Sequence, residues 1–209
     1  TGVLSGTAST TGTYTFTIKA AVGGCNGSRQ YTVTIAAGPT AAPLDFDGDH
    51  RSEFVRWVVE DGALVWEITR SSDGLTQRTR WGSATAIPVA ADYDGDGQAD
   101  LAVFDAGAWL MQLSASGKTR AEDFGATGDL PVVGDYDGDG KADLAVYRGG
   151  NWLLRGSRDG VLQVFGLGDA DSQPVPADYD GDGRTDLAVF QAGYWRLQLS
   201  AAGRQSELQ

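Results

Sequence analysis

The stretch Asp135-Tyr136-Asp137-Gly138-Asp139-Gly140-Lys141-Ala142-Asp143-Leu144-Ala145-Val146-Tyr147 sets four carboxylates at loop positions 1, 3, 5 and 9, then runs into an apolar, β-prone segment. The carboxylates can converge on one point only if the backbone turns sharply between them. Glycines at positions 4 and 6 permit the turn, because they reach positive φ without a Cβ clash. Converging hard oxygen donors describe a calcium site.

The pattern recurs at Asp45-Phe46-Asp47-Gly48-Asp49-His50-Arg51-Ser52-Glu53, at Asp92–Asp100 and at Asp178–Asp186. The expected ligands are Asp45, Asp47, Asp49 and Glu53; Asp92, Asp94, Asp96 and Asp100; Asp135, Asp137, Asp139 and Asp143; and Asp178, Asp180, Asp182 and Asp186. A backbone carbonyl at position 7 (Arg51, Gln98, Lys141 or Arg184) is expected to join each set. In the first loop His50 replaces the second glycine and Glu53 the last Asp, so the reading is three strong Ca2+ sites and one altered one. Position 12, where an EF-hand carries a bidentate Glu on a helix, is here Val103, Val146 or Val189 within a strand-like run.

Four carboxylates in each of four loops make sixteen of the 28 acidic side chains in a chain of formal net charge −12. The acidity is therefore local to the loops. Nucleic acid is disfavoured as a partner, because its phosphates need a basic face. No apolar run approaches the roughly 18 residues of a membrane span. Cys25 is the single cysteine, a free thiol or a partner for a residue outside this chain.

The loops begin at 45, 92, 135 and 178 and carry other landmarks in phase: Trp66, Trp109, Trp152 and Trp195, then Gly74, Gly117, Gly160 and Gly203, then Pro88, Pro131 and Pro174 before the next loop. A period near 43 with several strands predicts an all-β array of propeller type, about four repeats of four antiparallel strands. In the middle copy the strands are expected at 131–134, 143–148, 151–156 and 161–166. The four extra residues of the first copy are assigned to one hairpin. The tryptophans and the position-2 aromatics are read as core between neighbouring sheets.

The signature Asp-x-Asp-Gly-Asp-Gly-x-x-Asp-Leu-Ala-Val over 92–103, 135–146 and 178–189, with Trp81-Gly82, Phe124-Gly125 and Leu167-Gly168, resembles the FG-GAP/VCBS repeat family. The resemblance covers about residues 41–209. It implies a calcium-binding β-propeller on an extracellular or cell-surface protein, mostly a binding module: an adhesin, a lectin or an accessory part of a secreted carbohydrate-active enzyme. The repeats would be 45–91, 92–134, 135–177 and an incomplete 178–209.

Residues 1–38 lack the loops. Thr13–Ile18 and Tyr31–Ile35 alternate as half-buried strands do, with a turn expected over Gly23–Gly27. Together with Leu4-Ser5-Gly6-Thr7 they resemble the C-terminal half of a bacterial Ig-like domain, a partial β-sandwich. Residues 39–44 read as a linker.

No nucleophile–base–orienter set is evident. His50, the single histidine, sits inside a metal loop, and the acidic pairs Glu60/Asp61 and Glu122/Asp123 would point to opposite faces of a strand. The expectation is a non-enzymatic module that binds a protein or glycan outside the cell. The alternative is a stalk or filament subunit that self-associates through its Ig-like piece and open sheet edge. A part of a polysaccharide-degrading enzyme ranks third.

Overall fold

The computed structural model describes residues 12–22, 25–35, 43–201 and 205–208. The chain divides into two compact units, Thr1–Thr40 and Ala41–Gln209. In the first, β1 (Gly12–Val22) pairs antiparallel with β2 (Cys25–Ile35), with Gly12 opposite Ile35 and Val22 opposite Cys25. Both strands run longer than the alternation alone indicated, because Cys25–Gly27 continue the ladder rather than turning. Residues 23 and 24 of the expected turn, the Leu4–Thr7 segment and residues 39–42 of the linker lie outside the described residues.

The second unit is all-β, and no helix occurs among the described residues. Its sheets are antiparallel and none closes on itself. The first sheet has β3 (Phe54–Glu60), β4 (Ala63–Thr69) and β5 (Thr76–Ser83). The second has β6 (Ile87–Pro88), β7 (Leu101–Asp105), β8 (Ala108–Gln112) and β9 (Thr119–Asp123). The third has β10 (Leu130–Pro131), β11 (Leu144–Arg148), β12 (Asn151–Arg155) and β13 (Leu162–Gly166). The fourth has β14 (Gln173–Pro174), β15 (Leu187–Gln191), β16 (Tyr194–Gln198) and β17 (Gln205–Leu208). Strand order follows the chain in each.

Sheet and sequence repeat are out of phase. The second, third and fourth acidic loops each join the first strand of a sheet to the second strand of that sheet, so the first strand comes from residues that precede the loop; the first loop leads directly into β3. The first strand is shorter than its sequence run suggests, two residues in β10. The ladder nevertheless continues through Val132 N–H to Ala145 O (2.9 Å) and an isolated bridge between Gly134 and Asp143. Because of the offset, 173–208 supplies a four-stranded sheet, and among the described residues it is the first sheet that has three.

Two-residue turns close the hairpins between the second and third strands. Ala106-Gly107 and Ala192-Gly193 both take positive φ at each residue, the pattern whose twist matches antiparallel strands. The extra residues of the first copy lengthen β3 and β4 to seven residues each, against five in β7 and β8.

Alternation along the central strands buries both faces. On β7, Val103 packs with Leu64, Trp66, Ile68 and Ala86 of the preceding sheet, while Ala102 and Phe104 join Tyr93, Trp109 and Met111 on the other face. Leu144 and Val146 of β11 complete that second cluster. Ala145 and Tyr147 face on with Trp152 and Leu154 to Leu187 and Val189 of β15. The core therefore lies between successive sheets, and position 12 of each regular loop is a buried core valine. The repeating tryptophans fix these layers. Trp66, Trp109 and Trp152 are buried and donate their indole N–H to the carbonyls of Trp81 (2.9 Å), Phe124 (2.8 Å) and Leu167 (3.1 Å).

The two ends of the stack differ. On the first sheet, the cross-strand row Arg56–Glu67–Arg78 carries ion pairs, with Glu60 also held by Arg78. A charged row marks a face outside the apolar core of this unit. On the fourth sheet, Tyr179 is 42% exposed, whereas Tyr93, in the same loop position, is 2% exposed beneath the sheet that follows it.

Candidate metal centre

Each loop is wound around its position-1 carboxylate. Asp135 accepts the N–H groups of Gly138 (2.6 Å) and Gly140 (2.8 Å). Asp45 does the same for Gly48 and His50, Asp92 for Gly95 and Gly97, and Asp178 for Gly181 and Gly183. His50 takes φ 65°, close to the 86–89° of Gly97, Gly140 and Gly183. The first loop therefore keeps the same backbone path without its glycine, through the left-handed conformation that few non-glycine residues enter.

The position-9 carboxylate staples the loop to its own sheet. Asp143 accepts Tyr136 N–H (2.8 Å) and, from the hairpin beyond β12, Ser157 N–H (2.6 Å). Asp100 and Asp186 repeat this with Tyr93 and Ser114 and with Tyr179 and Ser200; Glu53 repeats it with Phe46 and Ser71. The position-5 carboxylates accept hydroxyl hydrogens from the same serines: Asp49 from Ser71, Asp96 from Ser114, Asp139 from Ser157 and Asp182 from Ser200. Position-3 carboxylates accept N–H groups from the residue after that serine, as Asp47 does from Ser72, Asp94 from Ala115 and Asp137 from Arg158.

These serines were missed in the sequence. Their signal was present: each lies five residues after a repeat tryptophan.

Burial pushes the carboxyls of Asp92, Asp100 and Asp143 above the ordinary Asp value. Serine hydroxyl donors hold Asp47 and Asp182 below it. Burial also lifts the phenols of Tyr93 and Tyr136 well above theirs. Each phenol is satisfied by donating to a strand carbonyl, Val89 or Val132.

Acidic oxygens within 4.8 Å of one another come from Asp45, Asp47, Asp49 and Glu53; from Asp92, Asp94 and Asp96; from Asp135, Asp137 and Asp143; and from Asp178, Asp180 and Asp186. Two oxygens on one calcium at 2.3–2.6 Å lie no more than about 5 Å apart, so every group can share an ion. The loop that departs from the pattern brings all four carboxylates together. Asp100, Asp139 and Asp182 stand outside their groups. In the second loop, Asp94 Oδ1 is buried without a hydrogen-bond partner, which an oxygen-seeking cation would satisfy. The residues present fit a hard divalent ion such as calcium.

The position-7 residues turn their N–H groups to the position-5 carboxylate: Arg51 to Asp49, Gln98 to Asp96, Lys141 to Asp139 and Arg184 to Asp182. Successive loops are also joined by backbone. The position-1 carbonyls of Asp45, Asp92 and Asp135 accept the N–H groups of Ala99 (2.6 Å), Ala142 (2.7 Å) and Thr185 (2.7 Å) in the next loop.

Three of the four acidic residues paired outside the loops meet arginine with their side chains. Glu60 pairs with Arg78, Asp61 with Arg80, and Glu122 with both Arg120 and Arg155.

Residues 135–189 match the family model of an FG-GAP-like repeat. The matched stretch runs from the first Asp of the third loop to position 12 of the fourth, and it supports the FG-GAP/VCBS resemblance for that part of the chain. No curated protein and no solved structure matches the chain.

Proposed function

We propose that this chain is a calcium-stabilised binding module, its four sheets serving as propeller-type blades of an extracellular or cell-surface protein that recognises a protein or glycan ligand. The observation that carries the proposal is the loop built four times over, with acidic oxygens close enough to share one ion in every copy and a buried, unpartnered Asp94 Oδ1 in one of them. Calcium would neutralise carboxylates that otherwise repel, and in the second, third and fourth sheets would hold the first and second strands together at the loop. Sites of this chemistry suit extracellular calcium. The FG-GAP-like match and the two-stranded β unit ahead of the sheets, read as part of an Ig-like domain, support an adhesion-type module. Binding, rather than catalysis, accounts for the acidic loops, and Glu60, Asp61 and Glu122 outside them are held by arginine partners. No helix among the described residues is long and apolar enough to cross a membrane.

The test is an ion count on dialysed protein with thermal unfolding in calcium and in chelator. Bound ions and a midpoint lowered by chelator support the reading; no ions and an unchanged midpoint overturn it. A stalk or filament subunit is the second reading, favoured by the exposed Tyr179 end of the stack. Light scattering across a concentration series checks it, and a monomer at every concentration rules it out.

A further inference from the structure

We propose that the position-7 side chains of the second, third and fourth acidic loops each serve the loop before them, and that their charge sets that preceding loop's calcium affinity; the inference rests on the calcium reading above. A Cβ built on Gly95 of the second loop would fall 2.9 Å from Lys141 Cε, and one on Gly138 of the third loop 2.6 Å from Arg184 Nε. On Gly48 of the first loop, it would fall 3.3 Å from Gln98 Cδ. Position 4 is thus glycine for two reasons: its φ is positive, and the next loop's side chain occupies the space a Cβ would need. Gly181 of the fourth loop keeps the φ, at 78°, with nothing within 4 Å.

The three contacts repeat in register, and the backbone bonds from Ala99, Ala142 and Thr185 to the preceding loop's position-1 carbonyl fix the same adjacency. Within its own loop, the position-7 residue supplies an N–H to the position-5 carboxylate. The side chains of Gln98, Lys141 and Arg184 reach back to the preceding loop, and the Arg184 charge also acts on Asp182 of its own loop. Lys141 lies across Gly95, between the two ligand candidates Asp94 and Asp96, and its ammonium is one bond beyond the Cε that makes the contact. The second and third loops therefore each receive a cationic side chain, and the first receives a neutral amide. The sites are graded by the side chain of a residue that the ligand spacing counts only for its backbone carbonyl.

The physical consequence has two signs. In the ion-free protein, Lys141 offsets repulsion among the second loop's carboxylates and so stabilises it. In the loaded protein, it repels the calcium. A unit charge roughly 7 Å from a divalent ion in a water-like dielectric changes affinity by about sevenfold unscreened and about twofold at physiological salt.

The experiment uses Lys141→Gln, the residue type the chain itself carries at Gln98, with Asp94→Asn to disable the second loop and Asp137→Asn to disable the third. Calcium titration calorimetry on the whole chain should show one class of sites tightened about two- to sevenfold by Lys141→Gln, the larger figure at low salt. The gain should persist in the Asp137→Asn background, vanish in the Asp94→Asn background and shrink in 0.5 M KCl. Tightening that survives Asp94→Asn but vanishes in Asp137→Asn would place Lys141 on its own loop and overturn the proposal. Unchanged affinity would overturn it as well.

Thermal unfolding in chelator supplies a readout independent of calcium. There Lys141→Gln should lower the midpoint, and less so once Asp94 is neutral. A parent that binds no calcium defeats the calcium reading. In that case a chelator midpoint lowered equally with and without Asp94→Asn defeats the cross-loop contact separately.

Discussion

Asp143 and Asp137 belong to one loop, yet their surroundings assign them different work, and neutralising each in turn separates the two roles. Asp143 is 1% exposed, and both its oxygens are taken by backbone donors: Tyr136 N–H at 2.8 Å and Asp137 N–H at 3.2 Å on one, Ser157 N–H at 2.6 Å on the other. Asp143→Asn keeps the shape but turns an NH2 group toward one of those donor sets. A hydrogen bond to a charged group contributes about 1.5–3 kcal/mol, and a buried donor left unpaired costs a similar amount. Relief of the burial penalty that raises this carboxyl's pKa offsets part of the loss. The net cost is about 3 kcal/mol, which for a chain of this size lowers the midpoint by roughly 6–12 °C. The loss should appear in chelator as well as in calcium, because the bonds are made without an ion. Asp137→Asn should do the opposite. In chelator it removes a like charge and costs little; in calcium it removes a ligand and the stabilisation that comes with it, about 2.7 kcal/mol at a hundredfold excess over Kd. Paired thermal melts of the two variants decide the matter. If Asp143→Asn were harmless in chelator, the staple assignment would be wrong, and position 9 would be a ligand first.

Three further outcomes are expected. Trp152→Phe keeps a ring in the core but orphans the Leu167 carbonyl and leaves a gap, costing about 2 kcal/mol; an unchanged urea midpoint would remove the indole from its role as the layer tie. Gly168→Ala would put a Cβ 2.6 Å from the Tyr147 hydroxyl at φ 95°, with a cost of roughly 2–4 kcal/mol, and a variant as stable as the parent would show that Tyr147 yields freely. Asp129 is buried against Arg148, whose guanidinium holds its carboxyl below the ordinary Asp value through bonds of 2.6 and 2.7 Å. A depressed folded-state value means stability that is complete above the ordinary Asp pKa, about 3.9, and lost as pH falls through the folded one. Arg148→Met should lower the midpoint at neutral pH and flatten its fall below about pH 4; parallel midpoint-against-pH curves for variant and parent would exclude this pair as a source of acid sensitivity.

What the sequence determined by itself was whatever is local along the chain. The carboxylate spacing with glycine at positions 4 and 6 dictates the loop, and Gly138 and Gly140 take the positive φ that the spacing requires. The Leu-Ala-Val-aromatic run dictates a strand buried on both faces, as β7 and β11 are. The central strands of the middle copy begin and end within a residue of where the pattern places them.

Contacts between distant positions were decided only by the tertiary structure. Ser157 reaches Asp139 and Asp143 because the β11–β12 hairpin folds back over its own loop, at separations of 18 and 14 residues. Lys141 reaches Gly95 because successive sheets stack with their loops in register. The offset between sequence repeat and sheet has the same origin. A repeat can be cut anywhere along its period, but a sheet begins where a strand finds its first partner, and β10 finds β11 across the acidic loop. Tyr93 and Tyr179 show the limit most plainly. They hold the same position in the same motif, and one is buried while the other is exposed because a following sheet lies over the first, whereas among the described residues no further sheet follows the second. A residue's own sequence specifies which face it presents; what meets that face is set by how the sheets stack.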